Sequence, residues 1–146
     1  MRKEIAIDQT TTPIFGFQRI VNGYALEAIL HGIDAGDQFP PVPIRRRAED
    51  ESTYVLDDSV YVKVVHRGAW HKLDGGHHRL VAHNKRGSPI RCSYDECQEP
   101  VAGVVIHPKD IKIQRGTGAW QEYKEARRRD NKYRSVFSFH GLYSGF

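Results

Sequence analysis

The stretch "VYVKVVHRGAWHKLDGGHHRLVAHNKRG", residues 60 to 87, constrains the fold more than any other. Its first half holds two runs rich in β-branched and aromatic residues, with Gly68 at the turn between them. That is the pattern of a strand pair. From His77 the spacing becomes helical, with Leu80 and Val81 directed to a core and Gly87 as a stop. Asp74, Gly75 and Gly76 stand between the two halves. A strand therefore passes into a helix through two residues without Cβ, where the backbone can take positive φ.

The rest of the chain supplies elements around this junction. "KEIAIDQ" alternates and predicts a first strand ending near Thr10; Pro13 and Gly16 break the connection that follows. "NGYALEAILHGIDAG" predicts a helix, with Leu26, Ile29, Leu30 and Ile33 on one face and Gly36 as its stop. The prolines of "FPPVPIRRR" point to an edge strand or an extended approach. "AEDESTYVLDDS" reads as an acidic, mobile connection. "SPIRCSYDE" predicts a strand, and "VAGVVIHPKDIKI" one or two more, with Val104, Val105 and Ile106 buried. "GAWQEYKEARRRDNKYRS" predicts a basic helix docked through Trp120 and Tyr123, and the tail "VFSFHGLYSGF" a last strand. Short strands mixed with helices make an α+β domain, with a small mixed sheet, about three helices and a basic C-terminal helix.

A length of 146 residues fits one domain, 1–146, that can bury a core without disulfides or metals. No apolar run approaches the roughly 20 residues needed to span a membrane, and "MRKEIAIDQTTTP" lacks the features of a signal peptide. Two cysteines, Cys92 and Cys97, are too few for a disulfide framework, so a cytoplasmic location is expected. Basic residues number 22 against 18 acidic, a mild excess concentrated in "IRRR" and in "YKEARRRDNKYR". Arg127, Arg128, Arg129 and Lys132 in the second cluster are candidate nucleic-acid contacts; a solvated helix face with internal salt bridges fits equally well.

Three kinds of chemistry fit Asp74 to Arg79. A helix starting after Gly75 and Gly76 exposes unpaired N–H groups and a positive dipole end, which bind phosphate. Arg79 can add a forked, charge-assisted contact, and His77 and His78 can donate to phosphate oxygens. Asp74 would repel phosphate, so it caps the helix or helps to hold Mg²⁺. The second reading is a tight turn with a polar rim. The third is a metal site, because His66, His71, His77, His78 and His83 are close together. Their spacing fits no zinc pattern, since His78 and His83 fall on different helix faces. No Gly-x-Ser-x-Gly elbow and no Walker-type loop is present.

"WHKLDGGHHRLVAHNKRGSPIRC" resembles the signature of the ParB/sulfiredoxin superfamily, and the likeness runs from about Ile5 to Asp95, leaving 96–146 as an extension. Members carry a strand pair, a Gly-rich turn and a helix with Arg near its start. ParB-like proteins have Gly-Glu-Arg-Arg there, sulfiredoxins Gly-Gly-Cys-His-Arg, and the Asp-Gly-x-His-Arg form is also similar to free-serine kinases and DGQHR-domain proteins. The resemblance implies that Gly75, Gly76, His78 and Arg79 hold the phosphates of a nucleoside triphosphate, ATP or CTP, with Mg²⁺. It implies no sulfiredoxin repair activity, because His77 stands where the catalytic cysteine would be. The segment after Asp95 holds one convincing helix, so a complete partition protein is not expected.

Two function classes follow. One is a nucleotide- or nucleic-acid-phosphate-binding protein, extending to an NTPase, phosphotransferase or nuclease, with Asp74, His77 and His78 as catalytic candidates and Asp34, Asp37 and Glu27 as further carboxylates. The other is a DNA-associated or phage- or plasmid-type interaction module without catalysis. It would use the basic helix on DNA, or the aromatic tail on a protein partner.

Overall fold

The computed structural model describes residues 2–36, 39–57, 62–66, 69–73 and 76–129, with backbone alone at 62–66, 69–73 and 126–129. The chain runs through β1 (Lys3–Ile7), β2 (Ile14–Phe15), β3 (Ile20–Asn22) and α1 (Gly23–Asp34). It continues through β4 (Val42–Arg46), β5 (Tyr54–Leu56), β6 (Val62–His66), β7 (Ala69–Leu73) and α2 (His77–Arg86). β8 (Ile90–Tyr94), a 3-10 turn at Pro108–Asp110, β9 (Lys112–Gln114) and α3 (Thr117–Arg129) follow. The fold is mixed α+β, with a small mixed sheet in the order β1-β8-β4-β5-β2 and, among the described residues, three α-helices including the basic one.

The sheet follows from alternation on its two best strands. β1 and β8 pair antiparallel, with Ile5 opposite Cys92 and Ile7 opposite Ile90. β4 lies parallel to β8 and antiparallel to β5. One face of this sheet buries Ile7, Ile14, Val42, Ile44, Leu56 and Ile90 against Leu80 of α2. One residue further on, Val81 faces Val21, Leu26, Ile29 and Ile111. α2 is thus wedged between the sheet and α1. Burying a side chain such as Leu80 fully is worth about 1.5–3 kcal/mol. β6 and β7 form the expected antiparallel pair, Val62 opposite Leu73.

α1 forms as its spacing predicts, and the residue before it does most to place it. The Asn22 side chain accepts from the N–H groups of Tyr24 and Ala25 at 2.9 and 3.2 Å. Its amide donates to the Ala119 carbonyl at 2.8 Å, at the start of α3. One buried side chain therefore caps α1 and ties it to α3, where Tyr123 packs on Ala25 and Ala28. Gly36, with φ 85°, takes the chain out of α1.

Several expectations are corrected. "FPPVPIRRR" is not an edge: β4 is the middle strand of five. Pro43 is tolerated because its carbonyl accepts from Asp57 where the β5 ladder ends, so the missing N–H falls at that end. The acidic "connection" contains β5, set up by a turn in which Asp50 accepts from the Ser52 N–H and hydroxyl. Val104 is 90% exposed, and Val105 and Ile106 are half-buried, because only single bridges, Arg47 to Val101 and Gly16 to Ile106, hold that segment. The tail from 130 onward, Lys132 included, lies outside the described residues.

Removing the Asn22 side chain loses a helix cap and a buried bond to α3. Asn22→Ala is expected to lower unfolding free energy by about 2–3 kcal/mol, measured by urea denaturation. A loss under half a kcal/mol would show that Asn22 does not join the helices.

Candidate functional site

α2 begins at Gly76, whose φ of 94° is left-handed. A Cβ there would lie 2.6 Å from Val42 Cγ1. Both properties of glycine are used: the positive φ and the close approach to β4. Gly76 is itself the cap residue and brings no side-chain cap bond. Asp74, the expected cap, and Gly75 lie outside the described residues.

The two histidines point into the protein. His77 is buried, and its Nε2 accepts from the N–H groups of Phe17 and Gln18 at 3.0 and 3.2 Å. The Phe17 ring stands edge-on to it at 4.5 Å between centroids. Gly16 leaves the space, for a Cβ there would be 2.8 Å from His77 Cδ2. His78 Nε2 accepts from the Asn22 N–H at 2.9 Å. Burial lowers both imidazoles to a pKa of about 4, helped at His78 by the neighbouring His77 and Arg79. Each ring needs its Nε2 lone pair free to accept, so each is neutral at pH 7. A general acid or base works best with a pKa near the operating pH. In this arrangement both rings, expected as catalytic candidates, serve as acceptors for backbone N–H groups.

Arg79 is 1% exposed, and its Nη1 donates to the Pro40 carbonyl at 2.6 Å. It forms one wall of a cleft of about 210 Å³ between the approach to β4, α2 and the start of β8. Arg91 and His83 line the same cleft, with Phe39, Pro40 and Pro89. Arg91 donates to the Phe39 carbonyl at 3.2 Å and also pairs with Glu4 on β1. His83 Nδ1 lies 2.9 Å from Ser88 Oγ, and burial lowers its pKa to about 4.

The other sequence candidates do not meet here. Asp34 pairs with Arg86 at the far end of α2, through two 2.8 Å contacts. Glu27 is engaged with Arg115. Asp37, Lys132 and the side chains of Arg127, Arg128 and Arg129 lie outside the described residues. Among the described residues no three His, Cys, Asp or Glu side chains group to hold a metal ion. Cys92 is buried in the sheet, and burial pushes its thiol up to about 12. Sequence reasoning missed Arg91, Pro40 and the bridging role of Asn22. The only local signal among them was Asn22, an asparagine directly before a helical period.

The chain shows no match to any protein-family model, and none to a curated protein or a solved structure.

Two predictions follow from this geometry. Gly87, the left-handed cap at the other end of α2, has φ 64° and nothing within 4 Å of a Cβ. Gly87→Ala should therefore cost only the left-handed strain, about 1–2 kcal/mol. Gly76→Ala adds overpacking against Val42, for about 2–5 kcal/mol in all. Chemical denaturation of the pair compares them; equal losses would contradict the close approach.

The second concerns acid. His77, His78 and His83 titrate at about 4 in the fold against 6.5 ordinarily. Between those values the unfolded chain takes up protons that the folded chain refuses. The histidine contribution to stability should hold above pH 6.5, fall as pH drops toward 4, and level off below. The slope is up to about 1.4 kcal/mol per pH unit for each histidine. Denaturation midpoints that are flat from pH 7 to 5 would show that the rings are not held neutral.

Proposed function

We propose that the chain binds a phosphate-bearing ligand, a nucleotide or the phosphate of a nucleic acid; the likeness to ParB/sulfiredoxin proteins implies such a ligand at the turn that leads to Arg79, and we place it in the cleft between α2 and β8 that Arg79 lines. One observation carries this reading: two guanidiniums, Arg79 and Arg91, line a single cleft between the approach to β4, α2 and the start of β8. Guanidiniums recognise phosphate through forked, charge-assisted bonds. Arg79 is fixed by Pro40, so little side-chain freedom is lost when an anion arrives. Arg91 shares its fork with Glu4, an exposed pair, and such pairs are weak enough for a phosphate to displace.

The size of the cleft limits the ligand. At about 210 Å³ it is smaller than the roughly 300–1,000 Å³ of sites that enclose a drug-sized molecule. It takes a phosphate group or a phosphorylated sugar, and a base would lie outside it. Mg²⁺ would arrive on the ligand's own phosphates. With His77 and His78 held as backbone acceptors, the reading is of binding, and no catalytic step is assigned.

Calorimetric titration with ATP, ADP, CTP, GTP and inorganic phosphate, each with Mg²⁺, tests it. At least one phosphate compound should bind. Arg91→Ala, a surface change, should weaken that binding by roughly tenfold to a hundredfold, the worth of a charged hydrogen bond. Arg79→Lys should weaken it further, because an ammonium lacks the fork. Duplex and single-stranded DNA are the comparison ligands. No binding by any of them, or binding indifferent to Arg91→Ala, would sink the proposal.

A further inference from the structure

Four large apolar side chains are exposed among the described residues: Phe17, Ile20, Val104 and Trp120. Trp120 rests edge-on against Tyr24 at 5.0 Å. The other three border one cleft of about 390 Å³, away from Arg79 and Arg91. A second cleft of about 180 Å³ shares Phe17, Val104 and Val105 with the first and reaches Val55 and Leu56. Val104 and Val105 thus form a ridge with an apolar cleft on each side. Scattered apolar residues on a surface need no account, but a contiguous group does. A small ligand lodged in one cleft would leave Val104 in water. An extended chain crossing the ridge would cover it and place a side chain in each cleft.

The charge on this surface narrows the occupant. Arg19 and Lys112 line the larger cleft, and Asp110 is the carboxylate that joins them there. The Arg19 carbonyl accepts from the Lys112 N–H at 2.8 Å, but its side chain makes no hydrogen bond or ion pair with any described residue. Every other arginine with a described side chain does: Arg2, Arg45, Arg46, Arg47, Arg79, Arg86, Arg91 and Arg115. Lys112 has no ion pair among the described residues either. In the larger cleft two cations without an ion-pair partner among the described residues face one carboxylate, which favours an acidic group on whatever binds there. The backbone groups of Val104 and Val105 also carry no hydrogen bond within the described residues, so an extended segment has main-chain groups to pair with.

We propose that this ridge docks an extended peptide segment of a partner protein, with two apolar side chains for the clefts and an aspartate or glutamate for Arg19 and Lys112. The proposal does not rest on phosphate binding at the other cleft.

The test selects binders to the full chain from a displayed library of random linear peptides. Enriched sequences should share two apolar residues and a neighbouring acid. Fluorescence polarisation with one synthetic binder then measures Val104→Asp and Arg19→Glu, each expected to weaken binding at least tenfold, and Lys85→Ala, at an exposed position in the last turn of α2, expected to leave it unchanged. Val104 and Arg19 are solvent-facing, so these variants should keep the wild-type circular dichroism and melting temperature. Nucleotide titrations should be the same in both, which separates this site from the phosphate cleft. No enrichment, or binders indifferent to both substitutions, would overturn the proposal. A dimer in sedimentation that Val104→Asp dissociates would also overturn it, with a second copy as the occupant.

Discussion

The structure turns on two imidazoles used as hydrogen-bond acceptors. The segment around Phe17 to Asn22 crosses between the main sheet and α1 and leaves backbone N–H groups facing the interior. An unpaired buried N–H costs about as much as a lost hydrogen bond. His77 and His78, adjacent on the first turn of α2, supply the acceptors for Phe17, Gln18 and Asn22. Consecutive residues on a helix point about 100° apart, so one pair reaches two points of the crossing segment. This fixes the rotation of α2 about its axis. Leu80 must then face the sheet and Val81 must face α1. Asn22 extends the chain of contacts, taking the His78 bond on its backbone while its side chain caps α1 and holds α3.

That arrangement was only half legible in the sequence. The α2 helix, its Gly87 stop, the β6–β7 pair and the inward faces of Leu80 and Val81 were all visible, because each rests on spacing within a dozen residues. The direction of the histidine rings was not, since "Gly-Gly-His-His-Arg" reads equally well as a cradle pointing out and as a turn pointing in. What decides is the row of unsatisfied N–H groups about sixty positions earlier, and a linear reading has no access to it. β4 was misread for the same reason. Its prolines argue for an edge until Pro43 is seen to meet β5 where that ladder ends. β5 is three residues long among acids, too short for alternation to register. Val104 was misread in the opposite direction: a valine pair before an isoleucine looks like core, and it is exposed because no strand among the described residues covers it.

The same economy bears on charge. Neutral histidines let the start of α2 be buried without adding positive charge beside Arg79. Arg79 is itself buried, and its Nη1 is fixed to the Pro40 carbonyl at the wall of the cleft. Protonating His77 or His78 would add a like charge nearby and break the bonds that orient the helix. Acid should therefore weaken the fold and the cleft together rather than switch one of them.

Phe17 links the two proposed surfaces. Its N–H is bound to His77 at the head of α2, its ring rests on that imidazole, and it borders both apolar clefts beside Val104. A partner packed on the ridge would press on the residue that holds α2 in register. Arg79 lies two residues beyond His77, on the same rigid helix, so a shift of Phe17 cannot be absorbed by a loop before it reaches the cleft. Packed interiors change between discrete arrangements more readily than they deform smoothly. Phe17 and His77 therefore form a direct chain of contacts from the apolar clefts to the helix that carries Arg79.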